Sequence, residues 1–272
     1  MGDNLVPVAN KEILEKLYAE YNKRELVSSD PVQFLWDYDD SLDREIVGLI
    51  SSSLAYGRVA QILRSISSLL EKMAEPSEFL RVATPISLKS TFEGFRHRFT
   101  TGEDVAMMLY GAKVAIEKYG SLNECFLTGL SDNDETILLA LDAFVRELSL
   151  DEGMAANHLL PFPERKSACK RLNLFLRWMV RENEVDPGGW TGVPVSKLII
   201  PLDTHMYDIC RTLGITKRKQ ADMRTAMEIT DYFRNMNPED PVRYDFALTR
   251  LGILDDTDLP SFLEKWRAEE VH

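Results

Sequence analysis

The residues best equipped for chemistry lie in PLDTHMYDICRTLGI, Pro201–Ile215. Asp203 stands just before Met206, Ile209, Cys210 and Leu213, an apolar set at helical spacing, which predicts a helix over about 204–213 with Asp203 as its N-cap. An N-cap carboxylate accepts a backbone N–H with one oxygen, a contact worth about 1 kcal/mol. Its second oxygen stays free. A carboxylate fixed in that way can stabilise positive charge developing on a sugar ring, or position a nucleophile. His205 follows two residues later; its ordinary reading is a surface or capping histidine, its functional one a place in the same cleft.

A second set is basic. In PFPERKSACKRLNLFLRWMVR, residues Lys166, Lys170, Asn173, Arg177 and Arg181 share one helical stripe beside the apolar Ala168, Leu172, Phe175, Leu176 and Met179. The chain as a whole carries a net charge of −12, divided into +5 over residues 161–224 and −17 over the rest. The ordinary reading of such a stripe is a solvated helix face. The functional reading is a phosphate-contacting surface that the acidic remainder confines to one place. Trp178, Phe175, Tyr207 and Trp190 lie close enough in sequence to stack on bases, although core packing accounts for Phe175 equally well. Lys217, Arg218 and Lys219 form a second basic knot.

The elements that must position these residues read as helix after helix. Beyond the two segments above, apolar periodicity marks helices near 11–26, 42–56, 59–73, 103–119, 137–148, 220–235 and 241–251. Asp30-Pro31 and Asp240-Pro241 are start signals; Gly120, Gly214 and Gly252 are stop signals. No useful period-two alternation occurs, so the fold class is all-α. The stretch Glu182–Pro194 reads as a long ordered connection. Cys125, Cys169 and Cys210 lack CxxC spacing, and His97, His158 and His205 lack metal-ligand spacing; no disulfide, metal or other cofactor is expected. Ser51–Ser53 reads as a small-residue helix contact. With no apolar run long enough to span a membrane and no signal peptide, a cytoplasmic protein is expected.

Two resemblances add to this. The phrases DPVQFLWDYDDSLDREIV, SLAYGRV, SACKRLNLFLRWMVR, KLIIPLDTHM and NPEDPVRYDFALTRLGI are similar to an uncharacterised bacterial family, the domain of unknown function 2400, over nearly the full length. More distantly, Leu160–Ala168 (LPFPERKSA) and Leu202–His205 (LDTH) resemble the hairpin and the aspartate motif of the helix-hairpin-helix/Gly-Pro-Asp DNA glycosylase superfamily. The hairpin glycines are replaced by Phe162 and Glu164, and Pro163 has no N–H to offer a phosphate. Glu45–Arg58 resembles that superfamily's first barrel helix and the loop that probes the duplex.

The superfamily resemblance implies two interlocked helical lobes. Residues 41–189 would form a helical barrel lobe with the hairpin-like segment; residues 1–40 and 190–272 would form the second lobe, carrying the Asp203 helix. It implies a DNA base-excision glycosylase, with or without lyase activity, acting as a monomer on a damaged base flipped from the duplex. Lys166 matches the nucleophilic lysine and Asp203 the essential aspartate. In the uncharacterised family the Lys170-Arg171 pair is typical, which makes Lys170 a rival nucleophile or, equally, a phosphate contact or a structural surface lysine. Arg165, Arg171, Arg177, Arg181, Tyr56, Arg58 and His205 are the candidate DNA contacts. A non-catalytic protein that recognises nucleic-acid structure, or the same scaffold reused for a phosphorylated small ligand or a protein partner, is the alternative.

Overall fold

The structure is a computed structural model and describes residues 8–150, 157–165, 167–251 and 262–266. Helices dominate: α1 (Val8–Tyr21), α2 (Ser41–Ser53), α3 (Val59–Leu70), α4 (Pro76–Val82), α5 (Pro85–Thr91) and α6 (Gly102–Tyr119) come first. They are followed by α7 (Leu122–Leu127), α8 (Leu138–Ser149), α9 (Lys170–Val180), α10 (Thr204–Thr212), α11 (Met223–Met236) and α12 (Asp245–Arg250). The fold is all-α. Its one sheet among the described residues is a hairpin of two-residue strands, Arg96–His97 and Thr100–Thr101. Among the described residues no helix is long and apolar enough to cross a membrane.

The long amphipathic helices fall where apolar spacing predicts them. Short elements escape it: α4, α5, α7 and the 3-10 turns at Arg24–Ser29, Pro31–Asp37, Pro163–Arg165 and Val195–Lys197. They are too brief to repeat a 3.6-residue period, and local caps define them instead. Thr84 with Ser87 closes a capping box on α5, and Ser121 caps α7. Asp30 does cap a proline-led segment, but a 3-10 one. Asp240-Pro241 starts no helix; α12 begins at Asp245, and the Asp240 carboxylate binds Arg181. Gly120 and Gly214 take positive φ after α6 and α10 as their stop role requires, while Gly252 lies outside the described residues.

α2 is the axis of packing. It lies against α9, the Pro31–Asp37 turn, α4, α3, α6 and α7. The approach to α9 is close because residue 48 is glycine: a Cβ there would stand 3.1 Å from the Phe175 ring and 3.2 Å from Met179 Sδ. Ser51, Ser52 and Ser53 complete the small-residue surface, all buried. α6 carries α5, α7 and α8, while α1 packs on α12 and α12 on α10.

One carboxylate fastens the middle of the chain. Glu45 on α2 is buried; Oε1 accepts the Leu122 N–H at 2.7 Å, and Oε2 accepts Asn123 N–H at 3.2 Å and Trp190 Nε1–H at 2.9 Å. It thus satisfies the start of α7 and anchors the 182–194 connection together. No cation is paired with it among these bonds, and burial pushes its carboxyl up from 4.5 to about 7 against the three donors. Between those pH values the folded state holds a proton that the unfolded chain has released, so stability present at acid pH is lost as pH rises through about 7. Chemical denaturation across that window should show a flatter pH profile for Glu45→Gln than for the parent. The variant should also be less stable throughout, because its amide NH2 faces donors. An unchanged slope would assign the titration to another group.

Candidate functional site

The starts of α9 and α10 and the end of α2 converge on one cleft of about 920 Å³. Asp203 is the N-cap of α10, as its spacing predicts: Oδ1 accepts the Met206 N–H at 2.9 Å. Oδ2 is left for Lys170, whose Nζ stands 3.8 Å away and donates to the Ala55 carbonyl at 3.3 Å. Both side chains keep about a quarter of their surface open, 26% and 29%. A lysine in the first turn of a helix opposes the helix dipole. Here the opposition is offset by Asp203 and by a carbonyl just beyond the C-terminus of α2. Arg171, next in line, gives Nη1 to the Ser53 carbonyl at 2.8 Å and Nη2 to the His158 carbonyl. The negative end of α2 therefore holds the two cations that head α9.

Charge also makes the floor. Arg177 Nε and Nη2 donate to Asp186 Oδ1 at 3.2 and 3.0 Å, and Nη1 donates to Asp245 Oδ2. Arg181 Nη1 donates to Asp186 Oδ2, while its Nε and Nη2 reach Asp240 Oδ2 at 3.1 and 2.8 Å. Arg250 gives Nη2 to Asp30 Oδ2 at 2.7 Å. Arg177, Asp245 and Arg250 all line the cleft, and two of their buried atoms, Asp245 Oδ1 and Arg250 Nε, have no hydrogen-bond partner among the described residues. Burial, reinforced by the charge of Asp203, pushes Asp245 up to about 6 against the pull of Arg177. Asp245 and Arg250 were not legible as site residues, because each sits in an ordinary amphipathic helix and acquires its role only through tertiary contact.

The cleft brings together Tyr56, Arg58, Lys170, Arg171, Arg177, Asp203 and His205 from the sequence-predicted set. Two assignments are corrected. Arg177 and Arg181 are only 2% and 4% exposed, and Asn173 is buried with its amide on the Ala168 carbonyl. From Asn173 to Arg181 the polar stripe is thus an interior seam, and both guanidiniums are bound by carboxylates rather than exposed as a phosphate-contacting face. Trp178, Phe175 and Trp190 are core, which removes them as stacking residues; half-buried Tyr207 donates its hydroxyl to the Arg218 carbonyl at 2.9 Å. Tyr56 is half-buried too: its hydroxyl donates to the His97 carbonyl at 3.0 Å and shares a 2.5 Å hydrogen bond with Thr100. Arg58 and His205 are exposed at the cleft.

Lys166 lies outside the described residues. The segment compared with a hairpin contains a 3-10 turn, Pro163–Arg165, in which Glu164 pairs with Arg146 at 2.8 Å. Arg165 is exposed there, 5.2 Å from the Phe162 ring, and does not line the cleft.

This arrangement is an all-α scaffold with an amine–carboxylate pair at the mouth of a charged cleft. A family model described as a protein of unknown function, DUF2400, matches residues 30–254, and the chain belongs to that family. No curated protein and no solved structure matches it.

Truncation tests the floor against the rim. Arg177→Ala leaves Asp186 and Asp245 buried beside a lost cation and should cost about 3–5 kcal/mol. Arg58→Ala, at an exposed position, should stay within about 0.5 kcal/mol. Urea denaturation reads both; equal, small losses would show that the floor is not held by this network.

Proposed function

We propose that the protein is a DNA base-excision glycosylase, with or without lyase activity, acting on a damaged base flipped out of the duplex. The observation that carries this reading is the Lys170–Asp203 pair, 3.8 Å apart at the opening of a cleft of about 920 Å³. Such a volume suits one extruded nucleoside and excludes a duplex. Exposed Arg58 at the rim is available to a phosphate on either side of it.

In this reading Lys170 attacks the sugar C1′ as its neutral amine. The N–C bond forms as the glycosidic C–N bond breaks, and the electron pair departs with the base. The nitrogen sheds one proton and the base takes up one. Asp203 Oδ2 stands beside the reacting nitrogen, where it stabilises the oxocarbenium-like charge that appears as the base leaves. Opening of the C1′–O4′ bond, whose electron pair goes to O4′ with a proton, then gives an iminium; loss of a C2′ proton as the C3′–O bond breaks expels the 3′ phosphate, and water hydrolyses the remaining imine to free Lys170. Lys170 is taken as the nucleophile because its Nζ stands 3.8 Å from Asp203 Oδ2, which supports that role. The held cap matters as well, since a carboxylate with one oxygen committed to Met206 keeps the other aimed.

Borohydride trapping on duplexes carrying abasic sites and a panel of damaged bases tests this. The parent should form a covalent adduct that Lys170→Gln loses and Lys166→Gln keeps. Asp203→Asn preserves an N-cap residue and so the fold, and should slow base release about 100-fold. Adducts lost only in Lys166→Gln would move the nucleophile. Salt-dependent binding with no release or adduct on any duplex would overturn catalysis in favour of structure recognition; no salt-dependent binding would overturn both.

A further inference from the structure

The titratable groups of the cleft are sorted by depth. Lys170 and Asp203 stand at the mouth, with about a quarter of each side chain open. Asp245 and Arg250, both on α12, line the same cleft but are only 3% and 2% exposed. Phe246 and Thr249, which lie between them in the chain, line it too. An extruded nucleotide that brings its C1′ to Lys170 at the mouth carries its base inward, toward α12.

The Asp245 carboxyl is held by one oxygen. Arg177 donates to Oδ2, and Arg177 is itself fixed by Asp186 at 3.0 Å. Oδ1 is buried and has no hydrogen-bond partner among the described residues. A buried carboxylate oxygen without a donor is costly; a proton on it removes the charge but leaves a donor that needs an acceptor. The protein alone completes neither state. Arg250 repeats the pattern: Nη2 donates to Asp30 Oδ2 at 2.7 Å, Cζ lies 4.1 Å from the centre of the Phe246 ring, and Nε has no partner. A molecule rich in lone pairs satisfies a protonated Oδ1 and the Nε–H together. A departing base becomes such a molecule as the glycosidic electron pair moves onto it.

The charges around Asp245 fit it to carry a proton. α9 brings Arg177 and Lys170 to bear on it, and α10 brings its N-cap Asp203 and the Cys210 thiol. Burial pushes that thiol up, so it adds no charge. Asp30 is occupied by Arg250, and Glu15 of α1 by Arg243 and Tyr244 at 2.9 and 2.7 Å. Burial pushes the Asp245 carboxyl up to about 6 against the pull of Arg177, with Asp203 adding to the rise. An acid in that range both holds a proton and gives it up near neutral pH. We propose that Asp245 is the general acid of this site, donating a proton from Oδ1 to the base as it leaves, with Arg250 Nε–H directed at the same leaving group. This rests on the glycosylase reading above and gives its leaving-group step a donor. The glycosidic C–N bond breaks, its electron pair passes to the base, and the Oδ1 proton follows. Asp245 is left as a carboxylate beside Arg177, and the proton that Lys170 sheds restores it.

Two readouts separate proton donation from the rest of the site. One is single-turnover release from a panel of damaged bases; the other is borohydride trapping on a duplex that is already abasic and has no base to protonate. Asp245→Asn keeps an oxygen for Arg177. It should slow base release about 100-fold and leave abasic trapping within about two-fold of the parent. Release by the parent should stop rising with pH at about 6, where the acid form is lost as fast as the neutral amine is gained. Release by Asp245→Asn should go on rising. Unchanged release, or the parent's pH profile, in Asp245→Asn would overturn the acid role while the Lys170–Asp203 reading stands. Equal losses of release and trapping would overturn it too, because a floor that only supports the cleft gives that result. A parent that traps on the abasic duplex yet releases no base would remove the glycosylase reading and this step with it, as would a parent that does neither.

Discussion

Two arginines inside the protein set the terms for the rest of it. Arg177 lies in the last turn of α9, which packs against α2, and Arg181 is that helix's C-cap; a guanidinium cannot discharge itself by losing a proton. Their burial is tolerable only if carboxylates arrive with good geometry. Three come from separate places: Asp186 from the long connection, Asp240 from the turn before α12, and Asp245 from α12 itself. The requirement explains why the connection after α9 folds back with Val185 and Asp186 fully buried. It also explains why Asp240 is diverted from starting a helix. A hydrophobic α9 would have left the last third of the chain with far less to determine its position.

The same network shapes the cleft. Asp186 receives both arginines and is fully satisfied, whereas Asp245 receives one and keeps Oδ1 unpartnered where the cavity begins. Above this floor, Lys170 and Arg171 stand at a helix start, where the dipole repels them, and the carbonyls ending α2 hold them in place. Stability and site are thus built from the same pieces. The floor orients α9, and α9 delivers Lys170 to within 3.8 Å of Asp203.

Legibility in the sequence followed the range of the interactions involved. Asp203 was readable as an N-cap because the carboxylate, the backbone donor it serves and the apolar pattern behind it all lie within a few residues. The long helices were readable for the same reason. The α9 stripe was readable as a stripe but not as a seam, since residues facing water and residues facing a buried counter-charge share the same 3.6-residue spacing. Only the position of Asp186, Asp240 and Asp245 in space distinguishes them. The Arg98–Phe99 turn is invisible for a different reason: strands of two residues establish no alternation, and an arginine at positive φ carries no turn signal.

Position in space also changes what the charge arithmetic means. The +5 of residues 161–224 seemed a reserve of positive charge for a polyanion, yet Arg177 and Arg181 spend theirs inside, partly on carboxylates from beyond that segment. The exposed cations that remain near the cleft, Arg58 and Arg98, belong to the part of the chain whose net charge is −17. Counting charge by sequence window therefore picks out cations that are buried and paired, and passes over exposed ones. A chain of net charge −12 with few exposed cations at the rim of this cleft offers little long-range attraction to an anion. What distinguishes the cleft chemically is short-range: the Lys170–Asp203 pair, and the unpartnered acceptor and donor on its floor.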